Sequence, residues 1–174
     1  PQPNGQIWSI SPKNNFQDVV IATKFKIIGT TTVSSDPVCL IMDEARNKKF
    51  VVIGSHLACC DNEEERQDGI DRVMNFVRSI KNNTGPFPTD NKTPIIIAGD
   101  LNLVGSEQNY KSLITGDIFD NISFGPDFKP DGDNSNFDDT HPFIPYHNAD
   151  YTWFSPSNGY VPGRLDFIIH SGSL

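Results

Sequence analysis

The run Pro94-Ile95-Ile96-Ile97-Ala98-Gly99-Asp100-Leu101-Asn102 stops abruptly at a carboxylate and a carboxamide. An apolar stretch ending this way reads as a buried strand whose C-terminal end delivers two oxygen-bearing groups to one spot. Asp100 and Asn102 lie two apart, so in an extended chain they point to the same side. An anionic oxygen beside an amide suits a hard divalent cation, or a phosphoryl group held by one. The pair also has a purely structural reading, because Asp and Asn both favour turns at strand ends.

Two further stretches repeat the pattern. Phe50-Val51-Val52-Ile53-Gly54-Ser55-His56-Leu57 is an apolar strand that ends in a polar and titratable pair, and it places His56 at the same kind of location. Asp150-Tyr151-Thr152-Trp153 is followed by Gly163-Arg164-Leu165-Asp166-Phe167-Ile168-Ile169, a strand with an acid at its start. Each residue keeps a structural alternative: His56 as a satisfied core histidine, Asp166 as a strand-end acid paired with Arg164, Thr152 and Trp153 as scaffold.

Taken in order, Ser55-His56-Leu57, Gly99-Asp100-Leu101-Asn102, Thr152-Trp153 and Arg164-Leu165-Asp166-Phe167 resemble the motifs of the endonuclease/exonuclease/phosphatase superfamily of metal-dependent phosphoesterases. Ile21-Ala22-Thr23-Lys24-Phe25-Lys26-Ile27 is similar to an earlier strand of that family. The resemblance implies hydrolysis of a phosphodiester or phosphomonoester with Mg2+ or Mn2+ as cofactor, the metal being held by Asp100 and Asn102. It also implies catalytic roles. Asp100 positions or deprotonates the attacking water, Asn102 and His56 bond phosphoryl oxygens, and Asp166 holds a terminal His. The family's metal-ligating Glu strand and its final Ser-Asp-His strand have no counterpart among residues 1–174, so the expectation is one incomplete domain of this type. His170 follows directly on its strand with no Ser-Asp before it, which sets it apart from the terminal His. The implied substrate is a nucleic acid, a lipid headgroup or a small phosphoester. Inositol-polyphosphate phosphatases of the family carry Trp-Cys-Asp-Arg where this chain has Gly163-Arg164-Leu165-Asp166, which counts against that branch. A non-catalytic binding domain that keeps the fold, or an inactive fragment, is the alternative.

The elements that must position these residues are legible between the strands. Asp61 with Glu64 three positions on offers a capping pair, and Glu63, Glu64 and Glu65 complement the positive end of a helix. Ile70, Val73, Met74, Val77 and Ile80 then repeat at three and four, which predicts one buried helix face, and Asn82-Asn83-Thr84-Gly85-Pro86 ends it. A shorter helix is predicted from about Ser106 to Ile114, closed by Gly116. Consecutive early strands (19–28, 38–43, 50–57) argue for mixed or antiparallel pairing. The expected fold is α/β of the α+β type, a four-layer αββα sandwich of two mixed sheets with outer helices, here in part.

Composition bounds the partners. With 174 residues, 36% of them hydrophobic, one core is feasible. Fourteen basic residues against 22 acidic ones give a net charge of −8, and no basic stripe marks a dedicated nucleic-acid binder. The longest apolar runs are strand-sized, so no membrane span is expected. Cys39, Cys59 and Cys60 are poorly spaced for a disulfide framework and read as free, buried thiols. Residues 117–148, rich in Pro and Asp, read as irregular and as the segment that selects substrate. Asp131-Gly132-Asp133-Asn134-Ser135-Asn136 fails as a calcium loop because Asn136 and Pro142 stand where Gly and Glu are needed, leaving a solvated acidic loop. His141 and His147 read as structural or solvent-facing.

Overall fold

The computed structural model describes residues 7–13, 18–141, 150–157 and 161–172; His147, Pro142 and Pro145 lie outside them. The elements are β1 (Ser9–Ile10), β2 (Ala22–Thr23), β3 (Lys26–Val33), β4 (Asp36–Asp43), β5 (Lys48–Gly54), α1 (Glu63–Lys81), β6 (Ile95–Asp100), α2 (Glu107–Thr115), α3 (Asn121–Phe124), β7 (Asp138–Asp139) and β8 (Asp166–His170). Six strands form one sheet in the order β3-β4-β5-β6-β8-β7, and β1 pairs with β2 separately. The architecture is mixed α/β and matches part of an αββα sandwich. Hairpin connections make β3, β4 and β5 antiparallel, whereas the long α1 crossover brings β6 in parallel to β5. β8 then runs antiparallel to β6.

Strand alternation sorts the sheet into two faces. Val51, Ile53, Ile95, Ile97 and Ile169 turn toward α1 and share one core with Ile70, Val73, Met74, Val77 and Ile80. Each such side chain contributes roughly 1.5–3 kcal/mol when fully buried. The three-and-four spacing of α1 is therefore spent on the sheet, as its sequence predicts. Val52, Ile96, Ala98 and Ile168 lie in register on the other face. There Ile21, Cys39 and Ile41 make a second, smaller core, with Phe50 and Val52 packed against it. Ile168 is left 48% exposed. Ile96, part of the apolar run, is thus half-buried on this second face, while its neighbours Ile95 and Ile97 are at 1% and 0% exposure.

Several expectations need correction. The cap of α1 is Asn62, which makes no side-chain capping bond. A turn in which the Asn62 amide donates to Cys59 O at 3.3 Å sets that start, leaving the three glutamates of the first turn to meet the helix dipole. α2 begins and ends as its sequence predicts, with Ser106 accepting from the Gln108 amide and Gly116 in the left-handed region at φ 74°. In the described part of the 117–148 segment Asp133, Asn134, Ser135 and Asn136 are exposed, as expected of a solvated loop, while other aspartates order the chain around them. Asp120 caps α3, Asp127 accepts from the Ile118 amide, and Asp131, 4% exposed, accepts from the Gly172 amide at 2.7 Å. Ile118 and Phe137 from the same segment are buried in the main core. Of the thiols, Cys39 is buried in β4, but Cys59 and Cys60 are exposed, because they fall in the turn beyond the end of β5 instead of within the sheet.

Candidate functional site

The second face of the sheet ends in polar residues. Asp100 closes β6, and Asp166, its antiparallel register partner, opens β8. Asp166 is fixed by the Thr152 hydroxyl oxygen, which accepts the amides of Leu165 and Asp166 at 3.0 and 2.9 Å. Thr152 is thus a positioning group. Trp153 forms a β-bridge to Gly163 and is half-buried. Arg164 does not pair with Asp166. It forks onto Asp139 (Nη1 to Oδ2, 2.7 Å) and stacks over Phe167 at 4.1 Å. His170 lies at the opposite end of β8, its ring nitrogens at 2.8 Å from Ser171 O and 3.1 Å from the Thr140 hydroxyl. His141 approaches Asp139 at 3.4 Å, beside the Arg164 fork.

His56 extends past the end of β5 beside this pair of acids. Its Nε2 is 3.9 Å from Asp100 Oδ2 and its Nδ1 is 3.9 Å from Asp18 Oδ2. With 43% of its side chain exposed, it is no core histidine. Behind it, Asp36 Oδ2 accepts the Ser55 hydroxyl at 2.7 Å and the His56 amide at 3.1 Å. Burial pushes the Asp36 carboxyl above the usual carboxylate range, against the pull of those two bonds. Asp36 and Asp18 carry no local motif. Asp36 opens β4, Asp18 precedes β2, and only the β4–β5 pairing brings Asp36 beside Ser55. Asp18, Asp36, Ser55, His56 and Cys59 line a cleft of about 420 Å³ beside the strand ends.

Close packing of two strand ends makes this geometry possible. Gly99 has φ 147°, and a Cβ there would lie 2.0 Å from Ser55 O. Asn102 adopts φ 46°, so the chain is not extended beyond Asp100, and the expected same-side projection of Asp100 and Asn102 does not apply. Instead Asp100 Oδ1 accepts the Asn102 amide at 3.2 Å, and Asn102 Nδ2 donates to Leu57 O at 3.0 Å. Asn102 is 5% exposed and ties the His56 segment to the Asp100 segment. Arg66, 1% exposed, reinforces that tie. Its guanidinium donates to Ala58 O at 2.8 Å, Val104 O at 2.7 Å and Asn109 Oδ1 at 3.0 Å.

The structure thus brings His56, Asp100, Asn102 and Asp166 to one end of the sheet. Among the described residues no three His, Cys, Asp or Glu side chains cluster in a metal-holding arrangement. The hard carboxylate oxygens of Asp100 nonetheless suit Mg2+, which takes one or two carboxylates and completes its shell with water and substrate phosphate, whereas Asn102, expected beside it, turns its amide to Leu57 O. Among the described residues no helix is long and apolar enough to cross a membrane.

No protein-family model matches the sequence, and no curated protein matches it. Solved structures do. TDP2 from Caenorhabditis elegans superposes with a TM-score of 0.56 at 14% identity, covering 95% of this chain and 48% of that one. Beta toxin from Staphylococcus aureus gives 0.55 at 18%, covering 88% and 53%. Sphingomyelinase C from Streptomyces griseocarneus gives 0.50 at 12%, covering 88% and 52%. At these identities the likeness is one of fold alone, shared by this chain with part of each of the three. The chain spans about half the length of these structures.

Proposed function

We propose that this chain is part of a metal-dependent phosphoesterase that hydrolyses a phosphodiester or phosphomonoester. The observation that carries the reading is the meeting of His56, Asp100, Asn102 and Asp166, drawn from 111 positions of sequence, at one end of the sheet's second face. A phosphoester resists attack because its oxygens are already negative, so a site must neutralise charge, activate water and stabilise the leaving oxygen. A bound Mg2+ or Mn2+ would supply the charge neutralisation, held by Asp100. Asp100 orients or deprotonates the attacking water. His56, held by Asp36, donates to a phosphoryl oxygen, while Asn102, turned inward onto Leu57 O, positions the Asp100 segment. Asp166 orients a second general acid-base group. The fold likeness to a sphingomyelinase C supports this class of chemistry, and a nucleic acid, a lipid headgroup or a small phosphoester all remain within it.

The test is hydrolysis of a chromogenic phosphodiester by the whole protein, with and without Mg2+ or Mn2+. Metal-dependent turnover that is lost in Asp100→Asn is the expected result. The 174-residue chain by itself should turn over negligibly, because it holds neither the family's Glu nor its terminal His, and losing a general acid-base group typically costs on the order of a hundredfold to ten-thousandfold. Robust turnover by that chain would show the roles to be misassigned. Phosphoester binding without hydrolysis by the whole protein would favour the binding-domain reading.

A further inference from the structure

Asn121-Ile122-Ser123 is an Asn-x-Ser tripeptide whose three residues are all exposed, and Phe119, two positions before the Asn, is 69% exposed. We propose that Asn121 is an N-glycosylation acceptor whose first N-acetylglucosamine stacks on the Phe119 ring. The proposal goes beyond the phosphoesterase reading and does not depend on it, since neither residue lines the cleft beside His56.

The tripeptide by itself assigns nothing, because a chain rich in Asn, Ser and Thr contains others. Asn82-Asn83-Thr84 and Asn91-Lys92-Thr93 also read Asn-x-Thr, and both acceptors are exposed. Two positions before them stand Ile80 and Thr89, at 0% and 8% exposure, which offer a sugar no surface. Of the three, Asn121 alone has an open aromatic ring at that place.

The ring is exposed, but the backbone that carries it is fixed. The amides of Phe119 and Asp120 donate to the carboxylate of Asp71, 1% exposed on α1, at 3.2 and 2.8 Å. Ile118, one residue earlier, is buried in the main core. Asp120 in turn accepts the amides of Ile122 and Ser123 at 3.1 and 3.0 Å. Asn121 Nδ2 donates to Ile118 O at 3.0 Å, so the acceptor amide lies against the peptide unit that leads into Phe119. A sugar ring presents a face of weakly positive C–H bonds, which suits the negative face of an aromatic ring. Because the backbone on both sides is already pinned, stacking orders the ring and not the loop. Ile122, 99% exposed, would stand under the same bulky, polar group.

The donor is an oligosaccharide carried on a polyprenyl diphosphate, and the transferase reads the Ser123 hydroxyl together with the Asn. Asn121 Nδ2 bonds to the anomeric carbon of the first sugar while the bond from that carbon to the diphosphate oxygen breaks. The diphosphate leaves with the bonding electrons, and Nδ2 gives one proton to a base of the transferase, so nothing is oxidised or reduced. The product amide keeps one N–H, which leaves a donor for Ile118 O. Such transfer takes place in the secretory lumen, and the proposal therefore puts the protein on that route.

The test takes the protein isolated from its own cells, and the same chain sent into the secretory route of cultured eukaryotic cells by an added signal peptide. Peptide N-glycosidase F in heavy-oxygen water converts a glycosylated Asn to a labelled Asp, which mass mapping locates. Label at position 121 is expected from both sources, and Ser123→Ala should lose it. Unmodified Asn121 in the protein from its own cells would overturn the proposal. Enzymatic removal of the glycan should lower the melting temperature of the wild-type chain by about 2–4 °C, and that of glycosylated Phe119→Ala by less than about 1 °C. Equal shifts in the two would overturn the stacking, since the Asn-to-Asp change that accompanies removal is common to both.

Discussion

Asp36 shows how a residue without a motif can matter. Its carboxyl holds the Ser55 hydroxyl and the His56 amide while paying for burial, and burial prevails. A carboxyl whose folded pKa is raised favours the folded state when protonated, so its contribution is full below the unfolded value and is lost as pH rises through the folded one. Asp36→Asn keeps an acceptor oxygen and removes the ionisation. The melting temperature of this variant relative to the wild type should therefore rise between about pH 3 and about pH 7; a flat or falling difference would sink this account. The candidate catalytic pair should divide in a similar measurement. Asp100 is more than a third exposed and Asn would keep its acceptor oxygen for the Asn102 amide, so on the proposed roles Asp100→Asn should abolish turnover with little change in melting temperature. Asn102→Ala should also abolish it but cost about 1–3 kcal/mol in denaturant unfolding as well, because it leaves Leu57 O without its buried donor and loses an Asn suited to φ 46°.

At the scale of elements, the ends of β5 and β6 must nearly touch for His56 and Asp100 to meet. Gly99 permits this by having no Cβ where Ser55 O sits, at a backbone angle other residues rarely adopt. Gly99→Ala should destabilise the chain by about 3 kcal/mol or more, whereas Gly163→Ala, whose new Cβ would meet nothing nearer than 3.9 Å, should stay within about 1 kcal/mol. Equal effects in urea melts would mean that the strand ends are not clamped. α1 contributes in two ways from one sequence. Its apolar stripe seals the helix-covered face, and Arg66 in its first turns satisfies carbonyls of the two site loops, a role no helical periodicity announces.

Across the whole molecule, the two faces of the sheet are unequal. The face under α1 and α2 is fully packed, while the other is covered over β4 and β5 but leaves Ile168 largely open. Ile97→Ala should cost roughly 2–5 kcal/mol, as a core truncation. Ile168→Lys in the 174-residue chain should change the melting temperature little and lower the binding of a hydrophobic dye such as ANS. Should Ile168→Lys melt the chain as badly as Ile97→Ala, that face is packed and not open.

What the sequence determined by itself was whatever a short window can carry. The apolar run into Asp100 and the one into His56 mark strands by their composition, and the three-and-four stripe of α1 and the Ser106 and Gly116 caps of α2 mark helices by periodicity and end chemistry. The order of the four motifs pointed to a fold class that the solved structures share. Only the tertiary structure decided which groups support the site. Asp36 reaches Ser55 across 19 positions, Arg66 reaches Val104 across 38, and Asn102 reaches Leu57 across 45. It also decided that Asn102 turns back into the protein, that Ile96 faces away from the main core, and that Asp120, Asp127, Asp131 and Asp133 bind backbone amides. Each of these depends on which strands become neighbours and in what register. That is fixed by the burial of both sheet faces together, a property of the packed chain that no local pattern of residues contains.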